Sequence, residues 1–282
     1  MCEDLARKSS LAAWKEDPRY LETMTWAVAS LTLLSTAGWL GPSSVGLAPS
    51  CTSPRSAVRC SADAIPDDVA NAIPPERLAD AWRREERAKE LGEVLKGCSL
   101  YLTGTSARKT AVARVLSRRL PRYRFYDVSA LMCSTYSAMG GADAEAVGLP
   151  QLLAKEPLAD VEQLASAVMG QLQQYSRSVF VPWAGSISQK DFMVMQQGLV
   201  VNLDSGESTE GVVLPPEDSE EVLAKWREGH ARADLTVPLE EGTAADDAAS
   251  DVIEALLAFI AANPAKSDEW KEKADEALSK SE

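Results

Sequence analysis

The sequence predicts an α/β protein: a five-stranded parallel sheet with helices on both faces. Three observations carry this reading. Five short apolar runs, rich in β-branched and aromatic residues, recur between Cys98 and Val237. Each is followed by a segment of about ten or more residues whose apolar positions fall at three- and four-residue steps, and strands joined by such crossovers pair in parallel. The composition, 45% apolar and 25% charged over 282 residues, suits a globular chain with a full core and excludes collagen, disorder throughout and a polytopic membrane protein.

The elements follow in order. After Pro74 and Pro75, Leu78, Ala81, Trp82, Ala88, Leu91 and Leu95 recur at helical spacing among charges, which predicts an amphipathic helix leading into the domain. The strand Cys98–Thr103 precedes a Gly/Ser loop and a helix from Lys109 to Leu120. RFYDV then leads to a helix over Ser129–Met139, and Gln151–Gln174 reads as further helix, polar and apolar by turns. SVFVP (Ser178–Pro182) precedes a helix over Gln189–Gln197, and LVVNLD (Leu199–Asp204) one over Pro216–Arg232. ADLTV (Ala233–Val237) precedes the last long helix, Ala244–Ala262, and residues 263–282 read as a polar helix or tail.

Charge is unevenly placed. Residues 204–282 hold 21 acidic and 7 basic side chains, or −14 of a net −13, leaving +1 for the rest. No stretch is basic enough to track a phosphate backbone, so nucleic acid is not an expected partner. The five cysteines form no CxxC pair and the chain has one histidine, His230, which argues against zinc or haem attachment. Between Thr23 and Ala62 there is no Asp or Glu, and Trp26–Leu40 is an apolar run of 15 residues. That is short for a membrane span and right for the core of a signal peptide; the acid-free Ser/Pro/Arg stretch after it resembles a plastid transit peptide. Residues 1–60 are therefore expected to be a targeting presequence, 61–96 a linker with the leading helix, and 97–262 the folded domain. The location expected is the plastid stroma, with membrane contact only if residues 26–40 are retained.

The loop after the first strand is where phosphate chemistry would sit. A phosphate-binding loop is GxxxxGK[ST] between a strand and a helix: glycines let backbone N–H groups turn inward, Lys reaches the β/γ-phosphates, and the hydroxyl holds Mg²⁺. YLTGTSARKTAVARVL supplies the strand, Lys109, Thr110 and the helix, but Thr103 and Arg108 stand at the glycine positions, with Gly104 one place late. A chance Lys-Thr pair opening a helix would look the same.

Several segments resemble shikimate kinase in order, over residues 97 to 262. GCSLYLTGTSARKTAVARVLSRRL is similar to its first strand, phosphate loop and helix, and RYRFYDVSALM to its FxDxD segment. SVFVPWAGSISQKDFMVMQQGLVVNLDS is similar to the stretch with its triple glycine, and WREGHARADLTV with AASDVIEALLAFI to its C-terminal end. The chain looks closest to the shikimate-kinase-like proteins of plant chloroplasts, which carry an altered loop and are regarded as non-catalytic and needed in plastid development. The resemblance implies a three-layer P-loop kinase fold with strand order 2-3-1-4-5 and, in active members, ATP and Mg²⁺ used to phosphorylate shikimate.

Residue by residue, the resemblance implies nucleotide contacts at Gly104, Lys109 and Thr110, a magnesium site at Thr110 and Asp127, and residual substrate contacts at Ser129, Gly185 and Arg232. It also exposes losses. The second Asp of FxDxD is Ser129, no general base at neutral pH. The Arg that pairs with the shikimate carboxylate is Ala159, a loss of about 2–4 kcal/mol of binding. The triple glycine reads Trp183, Ala184, Gly185, so an indole would crowd the ring of the substrate. The second carboxylate-binding Arg falls near His230, with Arg232 as a stand-in, and no Lys or Arg occurs from Asp191 to Ala224, where a lid Arg belongs. Two readings remain open: a fold retained without phosphotransferase chemistry, binding ATP and Mg²⁺ through Lys109 and Thr110 or not at all and meeting an unknown plastid protein partner, and a working shikimate kinase.

Other features read as structural. Trp82, Trp226 and Trp270 are expected to pack or dock, Cys98 and Cys133 to be inert thiols, and His230 to be a solvated surface histidine. The mixed charges of residues 83–90 suit a salt-bridged helix face, and Gly140 and Gly141 mark a turn without a ligand.

Overall fold

A computed structural model describes residues 75–139, 146–206, 211–216, 219–240, 242–264 and 268–269. The presequence, Gly140, Gly141 and Trp270 lie outside them.

Thirteen elements alternate as the sequence predicts. Helix α1 (Pro75–Leu95) is followed by β1 (Leu100–Thr103), α2 (Lys109–Arg119), β2 (Arg124–Asp127) and α3 (Val128–Met139). Then come α4 (Leu149–Lys155), α5 (Leu158–Leu172), β3 (Ser178–Val181), α6 (Gln189–Met195), β4 (Leu199–Asp204), α7 (Ser219–His230), β5 (Leu235–Pro238) and α8 (Ala245–Ala262). All strand pairs are parallel and the order is β2-β3-β1-β4-β5, the order that the resemblance implies. β1 lies at the centre, with Leu100 opposite Val179 on one side and Leu199 on the other. β1 and β3 are buried at every position, as strands covered on both faces must be. The edge strands expose Arg124 and Pro238, a cation and a residue without an amide donor, which blunt edge pairing.

Each face of the sheet has its own core. On one face Leu91 and Leu95 of α1, Val112 and Leu116 of α2 and Val252, Leu256 and Ile260 of α8 meet Leu100, Leu102 and Val201. On the other, Val161, Leu164 and Val168 of α5, Met132 of α3 and Trp226 of α7 meet Tyr101, Phe180 and Val200. Tyr101, Phe180 and Tyr126 stack at 4.9 and 5.4 Å between ring centres across neighbouring strands.

The structure adds detail to three expectations. The helical stretch over Gln151–Gln174 is divided into α4 and α5, because Pro157 cannot donate an amide to a continuing helix and holds the residue before it extended. Helix α7 begins at Ser219, three residues after Pro216. Of the two roles expected for Trp82, packing is not seen: it is 72% exposed, and the apolar contacts of α1 begin at Ala88, while its charged residues before that reach α8 as ion pairs. The mixed-charge face is an ion-pair network: Arg84 meets Asp246 and Asp247 at 2.9 and 2.7 Å, and Arg87 meets Glu90 and Glu254.

Candidate functional site

The C-terminal ends of parallel strands are where an α/β sheet places its ligands, since the loops diverge there and helix N-termini point inward. β1 ends at Thr103 and the chain turns at Gly104, whose φ of +118° only glycine adopts freely. A Cβ there would lie 2.4 Å from the Leu203 carbonyl oxygen, so this glycine also admits β4. The turn delivers Lys109 to the first position of α2, where no side chain caps the helix and the first-turn amides have no partners within it. Such an end attracts anions.

Lys109 is 7% exposed, and its Nζ donates to the Gly104 carbonyl oxygen at 2.9 Å. Burial pushes its pKa down to about 8, partly opposed by the carboxylate of Asp127. Thr110 is half-buried beside it. Asp127 ends β2 and caps α3: its Oδ1 accepts from the amides of Ser129 and Ala130 at 3.0 and 3.3 Å. The fold therefore gathers a cation, a hydroxyl and a carboxylate that suit a phosphate group and an oxygen-liganded Mg²⁺ in type. The loop itself is closed. Thr105 and Ser106 are 6% and 4% exposed, and Arg108 leaves the loop altogether to donate to the Glu240 carbonyl oxygen at 2.9 Å. A phosphate would have to displace Gly104 from Lys109 and open these contacts.

The loop after β3 holds the other half of the site. Ser188 caps α6 in a reciprocal pair with Asp191, which is 2% exposed, and Ser166 of α5 donates to the same carboxylate. This fixes Trp183–Ile187 against the sheet. The Trp183 indole folds back over Gly185, where an added Cβ would fall 2.5 Å from the ring. It meets Trp226 edge-on at 5.3 Å, and both rings are buried.

His230 corrects the expectation of a solvated side chain. It is 1% exposed and its Nε2 donates to the Ala184 carbonyl oxygen at 2.9 Å, which leaves Nδ1 as the unprotonated nitrogen. Burial pushes its pKa down to about 3, with Lys109 and Arg232 adding to the effect, so it is neutral and offers a carboxylate no charge. The misreading came from its charged sequence neighbours; Gly229, packed on Ile187, draws the end of α7 inward. Arg232 is tied to the same loop. It is exposed, lies 4.2 Å over the Phe192 ring and donates to the carbonyl oxygens of Gly229 and Ile187. Cys98 and Cys133 are half-buried, and burial holds the Cys133 thiol above its usual range.

Thr103 Oγ1, Ser186 Oγ, His230 Nδ1 and the Nε1 atoms of Trp183 and Trp226 are buried without hydrogen-bond partners among the described residues. The sequence placed Thr103 in the phosphate loop but neither Ser186 nor Trp226 at the site, because nothing in the local pattern of those two separates them from core positions. Among the described residues no cluster of three His, Cys, Asp or Glu could hold a metal ion, and no helix is long and apolar enough to cross a membrane.

No protein-family profile matches the chain, and no curated protein matches it. Among solved structures it is similar to shikimate kinase from Aquifex aeolicus vf5, at 20% identity over 57% of this chain and 96% of that one, with a TM-score of 0.44. It is also similar to shikimate kinase from Acinetobacter baumannii, solved in complex with shikimate, at 22% identity over 60% and 97% with a TM-score of 0.46. Shikimate kinase from Bacteroides thetaiotaomicron matches at 14% identity over 57% and 98%, with a TM-score of 0.43.

Proposed function

We propose that this chain is a plastid shikimate-kinase-like protein that has kept the kinase fold and lost phosphoryl transfer to shikimate, and that it works as a nucleotide-responsive binding module. One observation carries the reading: the Trp183 indole lies over Gly185 against Trp226 and fills the place where a ring-shaped substrate would meet the loop backbone. The chemistry around it agrees. A hydroxyl, Ser129, stands where proton removal needs a carboxylate. His230 is neutral, and Ala159 offers no charge to a substrate carboxylate. Retention of a buried Lys109, whose charged form the interior disfavours, supports an anion as its occasional partner.

ATP with Mg²⁺ is the expected nucleotide, held by Gly104, Lys109 and Thr110 with Asp127 at the metal. The test is a coupled assay with ATP, Mg²⁺ and shikimate, with titration calorimetry of ATP alongside. No turnover, with ATP heat that disappears in Lys109→Ala, is the expected result. Turnover of about 1 per second, ordinary for an enzyme, would return the chain to the working kinases. The acid-free segment from Thr23 to Ala62 supports plastid delivery; a fluorescent protein fused behind residues 1–62 should enter plastids, and a reporter left in the cytosol rejects that part.

A further inference from the structure

We propose that the N-terminal edge of the sheet, opposite the phosphate loop, is an electrostatic docking surface for an anionic lipid bilayer. Lys96, Arg118, Arg122, Arg124 and Arg177 are all exposed there. The fold ties their loops together: the Arg124 amide donates to the Arg177 carbonyl oxygen and the Arg177 amide to that of Gly97, each at 3.0 Å. Arg114, one turn before Arg118, lies 5.2 Å over the Phe125 ring beside them. Among the described residues none of the five is in an ion pair, whereas Arg83, Arg84, Arg87 and Arg119 all are. Glu93, exposed one turn before Lys96, leaves the positive surplus intact.

The backbone adds an independent argument. Lys96, Arg122 and Arg177 have φ of 49°, 66° and 52°, and they are the non-glycine residues with positive φ among those described. Glycine is the default at such positions, because a Cβ strains them. Lys96 closes α1, where a cation also complements the helix dipole; Arg122 and Arg177 lie beyond any helix end. Three strained positions on one edge each carry a cation instead of a glycine.

The choice of partner follows from the charge of the whole molecule. The opposite edge exposes Asp204, Glu220, Glu221 and Glu240, and the net charge is −13. A body basic at one end and acidic at the other settles on a negative plane with its acidic end outward. A nucleic-acid strand would want exposed rings for stacking, but Tyr123 is buried and Phe125 half-buried under Arg114. This surface is independent of whether the phosphate loop takes a nucleotide.

The experiment is vesicle sedimentation of the full chain with phosphatidylcholine alone and mixed with phosphatidylserine, at low and high salt. Binding to the mixed vesicles alone, released by salt, is expected. The triple variant Arg122→Gly, Arg124→Ser, Arg177→Gly should weaken it about a hundredfold, at about fivefold per cation. Its two glycines relieve the positive-φ strain, so the fold is kept. The charge-matched triple Arg77→Ser, Arg83→Ser, Lys89→Ser on α1 should change binding by less than about threefold. Equal binding to neutral vesicles, no binding, or equal loss in both triples overturns the proposal. So does binding of single-stranded RNA, lost in the first triple, by a chain that ignores the vesicles.

Discussion

Replacing Trp183 by alanine tests whether the indole fills the site as a core residue. The ring is 2% exposed, sits over Gly185 and meets Trp226 edge-on at 5.3 Å. Truncating a buried Trp to Ala costs about 3–5 kcal/mol in lost burial and residual cavity. One contribution opposes this: the indole N–H is buried without an acceptor among the described residues, and its removal recovers about 1–2 kcal/mol. The net loss is about 3 kcal/mol, read as a lower urea midpoint with unchanged slope by circular dichroism and as a fall of about 6–12 °C in melting temperature. Under the proposed function shikimate should still give no heat with the variant, since neither Ser129 nor Ala159 carries a charge. A stability loss below about 1 kcal/mol would refute the packing argument, and shikimate heat in the variant would show that the indole alone excluded the substrate.

Further outcomes are expected at the phosphate loop and at the buried histidine. Gly104→Ala should cost about 3 kcal/mol in urea unfolding, because it places a Cβ at φ +118° and 2.4 Å from the Leu203 carbonyl oxygen. Lys109→Met should raise stability at pH 7 by about 1–2 kcal/mol while abolishing ATP heat. The folded pKa of about 8 lies below the usual 10.5, so the unfolded chain binds the extra proton between those values and burial of the charge is disfavoured throughout the range below 8. His230 has the same sign in a lower window: stability is full above pH 6.5 and falls as the pH drops toward 3, because the unfolded imidazole protonates first. His230→Gln, which can still donate to Ala184, should flatten the unfolding free energy between pH 6.5 and 4; an unchanged slope there would mean the imidazole is hydrated in the folded state.

How much of this was legible in the sequence depends on the kind of interaction. Strand and helix positions came from local periodicity, so α1 through α8 fall within a few residues of their expected places, and the break at Pro157 was missed because the apolar steps run on through it. The placing of Lys109 and Thr110 at the start of α2 was legible because the loop pattern is contiguous in the chain, while Asp127 entered only through the resemblance. The second half of the site was not. Whether His230 is wet or dry depends on Gly229 packing against Ile187, forty-two positions away in the chain.

The order of residues along the chain was enough for the layered α/β plan and for Thr103 and Arg108 in place of the loop glycines, since periodicity and residue type are local properties. The tertiary structure decided which groups lost their water: it turned His230 into a neutral hydrogen-bond donor, laid Trp183 over Gly185 and drew Lys96, Arg122, Arg124 and Arg177 from separate loops onto one edge. Burial and the summing of charge are set by neighbours in space, and those neighbours are distant along the chain.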